Sequence, residues 1–163
     1  MQSKEELLNE FSALISFVKS IRDLDDETWV SPIAEGKWTT RDIIAHIMLW
    51  DKYFLENAIE RITNRKVISA KHLDFDEFNK EAVEYAKETS KEEILDKTIY
   101  YRNQLIRHIN EMSDAEFLGE HMDGDGNKFS AYHYLIGFIP HDEHHIRQIK
   151  EFLGDSLLVK SSE

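Results

Sequence analysis

Apolar residues recur every three or four positions along most of this chain, and no segment alternates apolar and polar residues in the manner of a β-strand. Five apolar residues of positions 3–22 fall on one face of a helix: Leu7, Phe11, Leu14, Val18 and Ile21. Such a face is stable only when it is buried against other helices. This patterning predicts an all-α fold with its core between helices.

Two further long helices are predicted in the middle of the chain. The first covers residues 39–63 and begins at Thr39, which stands three residues before Asp42 in an N-cap arrangement. Its apolar stripe comprises Ile43, Ile47, Trp50, Phe54 and Ala58. The second begins after Ser90, a favourable N-cap. Its predicted inner face comprises Ile94, Thr98, Tyr101, Leu105, His108 and Met112. Residues 75–88 are predicted to form one shorter helix between them.

The last third of the chain is predicted as a loop followed by a fourth long helix. Residues 113–129 read as a loop with a small hairpin at its glycines. Residues 130–153 are helical in pattern, but Pro140 lacks a backbone donor and should kink this helix or begin a new one. Four principal helices with one additional short helix predict a four-helix bundle. We expect a single domain over residues 1–163.

Composition excludes several classes of partner. The 32 acidic and 20 basic residues give a net charge of -12, which disfavours nucleic acids and anionic membranes as partners. The charged N-terminus and the lack of a long uncharged apolar run favour a cytoplasmic location. Because the chain has no cysteine, a metal site must use His, Asp, Glu or water, and thiol chemistry must use an external thiol.

The segment HDEHHIRQI, residues 141–149, contains three of the eight histidines. On a helical wheel with about 100° per residue, the core face is marked by four residues: Tyr134, Phe138, Ile149 and Phe152. His145 falls inside this sector and His141 at its edge, whereas His144 points away. Histidines at i and i+4 can converge on one metal ion, although such a pair is also common as surface decoration.

His46 is the third candidate ligand. It lies mid-helix between Ile43 and Ile47, so it can supply an imidazole from a neighbouring helix, as metal sites in bundle cores require. Three nitrogen ligands would leave a fourth position for water or substrate, as in catalytic zinc sites. The alternative interpretation is that His46 is a hydrogen-bonded core residue.

Two motifs resemble the DinB-like superfamily of four-helix proteins. GKWTTRDIIAHIMLWD, residues 36–51, is similar to the family's Trp-Ser/Thr followed by a helical histidine. HDEHHIRQI is similar to its His-x-x-x-His-x-x-Gln-Ile ending. The intervening FNKEAVEYAKETSKEEIL resembles the DfsB branch, so the resemblance covers essentially the whole chain.

The resemblance implies a function and a set of ligands. His46, His141 and His145 would bind a divalent ion, zinc or nickel, with water in the remaining positions, while His144 would not. The implied activity is that of a metal-dependent hydrolase or a thiol S-transferase acting on an electrophilic small molecule, in a homodimer. The alternative is a metal-independent small-molecule binding or self-resistance protein of the DfsB kind.

Asp142 is the candidate catalytic side chain. It falls close to the core sector of the wheel, where it could act as a general base or accept a hydrogen bond behind the ligands. The alternative is an acid on the helix surface. Six aromatic residues could line a pocket near the histidines or simply belong to the core: Trp38, Trp50, Tyr53, Tyr100, Tyr101 and Tyr134.

Overall fold

The computed structural model describes residues 2–161, and the side chains of residues 2–154. The predicted all-α bundle is confirmed, with four principal helical segments and one shorter helix packed beside them. The helices are α1 (Lys4–Phe11), α2 (Ala13–Ser20), α3 (Asp26–Trp29), α4 (Thr40–Phe54), α5 (Glu60–Thr63), α6 (Phe75–Lys87), α7 (Lys91–Glu111), α8 (Asp114–Leu118) and α9 (Ala131–Ser161). Two short strands are β1 (His121–Met122) and β2 (Lys128–Phe129).

The first predicted helix is divided at Ser12 into α1 and α2. The Ser12 hydroxyl donates to the carbonyl of Asn9, and Ile15 donates its backbone N–H to Ser12. Serine competes in this way for backbone acceptors, which loosens the regular helical pattern. The two helices still bury one continuous apolar face, as predicted.

The second predicted helix continues from α4 to α5 through a π-helical turn, Leu55–Ile59. Its start is as predicted, because Thr39 and Asp42 form a complete capping box. In the wider turn the carbonyl of Asn57 accepts the backbone N–H groups of Ser69 and Ala70. The irregular turn therefore anchors the segment that leads into α6.

Helix α9 runs without interruption through Pro140, so the proline does not begin a new helix. The carbonyl of Ile136 loses its helical donor, but Ile136 and Pro140 both lie on the exposed side, where water can satisfy it. None of the described helices is both long and apolar enough to cross a membrane.

A small hairpin precedes α9, as predicted. Strands β1 and β2 pair antiparallel, with His121 opposite Phe129. Gly124 donates its N–H to the carbonyl of Ala70, and a Cβ at Gly124 would lie 2.7 Å from the Lys71 side chain. Glycine thus permits the hairpin to dock on the segment before α6. Helix α8 replaces part of the predicted loop, because Ser113 and Glu116 form a capping box.

The interior contains two apolar cores separated by a polar layer. The hairpin-side core includes Phe11, Leu55, Leu105 and Ile139. The loop-side core includes Leu14, Ile47, Leu95 and Ile149. Between them lie three buried charged residues, Asp51, Arg102 and Asp142, which we term the Arg102 layer.

The Arg102 layer corrects the predicted face of α7. Tyr101 and His108 were predicted on the inner face, but both are only half-buried, whereas Arg102 and Ile109 are fully buried. Four residues of the predicted face are buried as predicted: Ile94, Thr98, Leu105 and Met112. Arg102 was not placed on that face, because arginine is rarely fully buried.

Candidate metal centre

The structure brings together the three histidines that the sequence singled out. Helix α4 supplies His46, and α9 supplies His141 and His145 one turn apart. One nitrogen of each ring lies within 4.8 Å of the others. The ring centroids are 5.5 Å apart for both pairs that include His46, and 4.6 Å apart for His141 and His145. His144, predicted to point away, is exposed.

Hydrogen bonding fixes the tautomer of His46. The indole Nε1 of Trp50, which can only donate, contacts Asn79 Oδ1 at 3.2 Å. The same oxygen lies 2.8 Å from His46 Nδ1, so Nδ1 is the protonated nitrogen and donates to it. His46 Nε2 therefore carries the lone pair, and it is buried with no hydrogen-bond partner among the described residues.

His145 is oriented by the same kind of contact. Its Nδ1 lies 3.1 Å from Oε1 of Gln148, one turn further along α9, so Nδ1–H donates and the lone pair is on Nε2. The Nδ1 of His141 is buried and unpartnered within the part of the chain that the structure describes. A ligand histidine characteristically donates its second nitrogen to an oxygen, as His46 and His145 do here.

The environment keeps the imidazoles neutral. Burial, together with the nearby His145, lowers the pKa of His46 to about 4. Burial and the proximity of His141 likewise lower the pKa of His145 to about 4. Burial also lowers the pKa of His141, although Asp142 opposes the shift. At neutral pH all three rings therefore offer unprotonated nitrogens, the form that binds metal.

An aromatic cavity of about 420 Å³ adjoins His46 and His141. Its walls include Trp50, Phe54 and Phe138. Of the aromatic residues weighed from sequence, Trp50 lines this cavity and Trp38 packs edge-on against His46 at 5.2 Å. The other four do not line this cavity: Tyr53, Tyr100, Tyr101 and Tyr134. Periodicity alone could not separate these two groups, because the helices place both at core-compatible spacings.

Asp142 is not a surface acid, since it is only 5% exposed. Its Oδ2 accepts from Arg102 at 2.7 Å, and Arg102 also donates two hydrogen bonds to Asp51 and one to the carbonyl of Phe11. Asp142 Oδ1 has no partner among the described residues. Asp142 does not line the aromatic cavity. Its role as a general base therefore stays a prediction.

Sequence reasoning missed the residues that orient the histidines. Nothing in the sequence pattern marks Asn79 of α6 as a hydrogen-bond acceptor for His46. Gln148 stands in the His-x-x-x-His-x-x-Gln-Ile motif, three residues after His145, but no role was predicted for it. Arg102 offered a weak signal, because Thr98, Arg102 and Leu105 follow helical spacing on the buried face of α7.

The family model of the DinB superfamily matches residues 3–149. This chain belongs to the DinB superfamily. Among curated proteins, a sequence comparison finds no match.

Two solved structures share the fold of this DinB superfamily protein. YfiT from Bacillus subtilis, described as "a probable metal-dependent hydrolase with an unusual four-helix bundle topology", is 14% identical with a TM-score of 0.74, covering 91% of this chain and 85% of YfiT. The mycothiol-dependent maleylpyruvate isomerase is 17% identical with a TM-score of 0.61, covering 91% of this chain and 58% of that chain. At these sequence identities the structural similarity establishes the four-helix fold alone, and the function must be argued from the residues of the site.

Proposed function

We propose that His46, His141 and His145 bind one divalent metal ion, zinc or nickel, and that the protein is a metal-dependent hydrolase or thiol S-transferase acting on an electrophilic small molecule. The observation that carries this proposal is His46 Nε2, a buried lone pair with no partner in the described chain and with its tautomer fixed. An unpaired buried polar atom is costly, and a metal ion is a partner that two further histidines can share.

The side chains around the histidines are suited to such chemistry. A bound divalent ion would lower the pKa of water or of an incoming thiol and polarise the electrophile. Asn79 and Gln148 hold the rings in one orientation. The apolar cavity walls of Trp50, Phe54 and Phe138 would pack against the reacting end of the substrate. The thiol must come from solution, because the chain has no cysteine.

Asp142 is the candidate catalytic residue. Arg102 holds its Oδ2, while Oδ1 has no partner in the described structure, so one oxygen remains able to accept a proton. We propose that Asp142 acts as a general base or supports His141 beside it. Asp142→Asn keeps the shape and removes the basic oxygen, so it should reduce activity while leaving zinc affinity within about threefold, a change smaller than one hydrogen bond is worth.

Metal analysis tests the metal site directly. Protein purified without a nickel column should contain zinc or nickel at one ion per chain, or bind one zinc ion after chelation. His46→Ala and His141→Ala should each abolish this stoichiometric binding. His144→Ala is the matched control, because His144 is a neighbouring but exposed histidine. Absence of stoichiometric binding in the unaltered protein would refute the proposal.

Reactivity separates the two enzyme classes. An activated ester incubated with zinc-loaded protein reports hydrolysis, and an electrophilic aryl halide with and without an added thiol reports S-transfer. A rate that requires the thiol and the three histidines would assign S-transfer. A rate independent of the thiol would assign hydrolysis.

A second candidate function is metal-independent binding of a small molecule, which the aromatic cavity favours. In that case His141→Ala should leave ligand binding and thermal stability nearly unchanged.

We further propose that the protein is a homodimer and that it is cytoplasmic. Analytical ultracentrifugation would test the dimer, which should have a mass near twice 19.2 kDa.

A further inference from the structure

A second cavity continues the aromatic one along α9. It measures about 460 Å³ and its lining includes Lys128, Ser130 and His133 near the hairpin. Phe54, Gly137 and Phe138 line both cavities. The two cavities therefore adjoin each other, and together they extend from the histidines past Gly137 towards β2; we term the two together the groove. Each half alone falls within the range of about 300–1,000 Å³ that small-molecule sites occupy.

Gly137 lies where the two halves meet. A Cβ built at Gly137 meets no atom within 4 Å, so a larger side chain there would extend into open space and not into the core. Glycine inside a helix costs roughly 0.5–1 kcal/mol relative to alanine. Helix α9 therefore has a destabilising glycine at a position where a larger side chain would extend into the groove.

The chemistry of the groove changes along its length. The inner half contains aromatic rings and the imidazoles of His46 and His141, and no Lys, Arg, Asp or Glu side chain lines it among the described residues. In the outer half Lys128 pairs with Glu120 at 3.3 Å, so the two charges offset each other beside Ser130 and His133. An anion would find no unpaired cation there, and the net charge of -12 repels it.

We infer that the groove binds an elongated, uncharged substrate that crosses Gly137, with an apolar reacting end at His46 and His141 and a polar end at the hairpin mouth. Gly137 is then the residue that sets substrate length. This inference rests on the proposed function, since it takes the histidines as the reacting end. It adds a substrate class and a specificity determinant to that site.

Two uncharged probes test this inference by ¹⁹F NMR line broadening. 4-Fluorophenol has one ring and should fit the inner half, whereas 4'-fluoro-4-hydroxybiphenyl has two rings in line and should extend past Gly137 when its first ring lies beside the histidines. The titrations use full-length protein in EDTA, so that the readout does not depend on a bound metal. The unaltered protein should bind both probes, and the biphenyl more tightly because it buries more apolar surface.

Gly137→Leu should weaken biphenyl binding by about tenfold or more, because the added side chain occupies the path of the second ring. Binding of 4-fluorophenol should stay within about twofold, and Gly137→Ala should give a smaller biphenyl effect. Gly154→Leu is the matched control, since Gly154 also lies in α9, has an equally open Cβ position and lines neither cavity. It should leave both affinities unchanged.

The inference is overturned if Gly137→Leu binds the biphenyl as tightly as the unaltered protein, if both probes weaken equally, or if the unaltered protein binds neither. Zinc binding is measured separately on each variant. If the unaltered protein binds no zinc but Gly137→Leu still weakens biphenyl binding selectively, the proposed groove is supported and the proposed metal-dependent function is refuted. The two failures are therefore distinguishable.

Discussion

Two buried polar groups, the Arg102 layer and the histidine cluster, both use residues of α4 and α9 and differ in how completely they are hydrogen-bonded. Arg102 makes four hydrogen bonds, to Asp51, Asp142 and the carbonyl of Phe11, and is fully buried. Among the described residues, Asp142 Oδ1 is the one side-chain atom of this layer that lacks a hydrogen-bond partner, whereas in the histidine cluster both His46 Nε2 and His141 Nδ1 lack one. Paired groups stabilise one packing arrangement, whereas unpaired ones remain available to a ligand.

The positions of the two groups explain this difference. The Arg102 layer lies between the two apolar cores and its charged side chains are buried, so each charge requires an oppositely charged protein partner. Although burial opposes its charge, Asp51 and Asp142 raise the pKa of Arg102, and the guanidinium stays protonated. The histidine cluster borders a cavity, and neutral imidazoles tolerate partial burial without a counter-ion.

The largest expected effect comes from breaking the paired group. Arg102→Met removes the only cation of the Arg102 layer and leaves two carboxylates buried together. We expect the free energy of unfolding to fall by about 3–5 kcal/mol, measured by urea denaturation. Arg22→Ala is the control, because Arg22 also pairs with two acids but at the surface, and its loss should lower stability far less than the loss of Arg102. Equal effects would contradict the comparison.

Substitution in the histidine cluster should have the opposite balance of effects, with a large change in zinc affinity and a small change in stability. His46→Ala should lower zinc affinity by roughly 100-fold or more, because a ligand contributes more than the groups that orient it. Without metal, the same substitution should cost much less stability than Arg102→Met, since the removed ring has an unpaired nitrogen. Isothermal titration with zinc and urea denaturation in EDTA measure the two quantities. A large stability loss without metal would show that the histidines are structural.

Asn79 tests the comparison further, because it accepts the hydrogen bond of His46 Nδ1, the nitrogen of this ring that is paired. Asn79→Ala removes the acceptor for both His46 Nδ1 and Trp50 Nε1, and zinc affinity should fall about 10–100-fold. Asn79→Asp keeps an oxygen in place and should restore most of the affinity. If both variants bind zinc like the unaltered protein, the hydrogen bond does not orient the ligand.

The smallest effect is a difference in pH dependence. The pKa of His46 is lowered from 6.5 to about 4, so the unfolded chain binds protons first and the metal-free protein should lose stability as the pH falls from about 6.5 to 4. Burial raises the pKa of Asp51 from 3.8 to about 6, although Arg102 opposes it. The folded state therefore binds this proton first, which offsets part of the loss between about pH 6 and 4.

Denaturation midpoints between pH 4 and 7 test both signs. His46→Gln should flatten the loss of stability towards acid, whereas Asp51→Asn should steepen it. The slopes are compared, because each substitution also changes the stability at pH 7. If stability depends on pH in both variants as it does in the unaltered protein, the Arg102 layer and the histidine cluster do not differ in their response to pH.

The sequence by itself determined the bundle and the inward direction of the histidine pair. Helical periodicity is a local property, and caps such as Thr39 with Asp42 mark helix starts through contacts only three residues apart. For the same reason the wheel distinguished His145 from His144 without knowledge of any other helix.

Only the tertiary structure decided which polar groups are paired. The partners of Arg102 lie 51, 40 and 91 residues away along the chain, and Asn79 lies 33 residues from His46. The groove past Gly137 likewise forms between α9 and the residues around Phe54. Pairing, burial and cavity shape depend on how helices distant in sequence pack together, and no pattern within one helix encodes that arrangement.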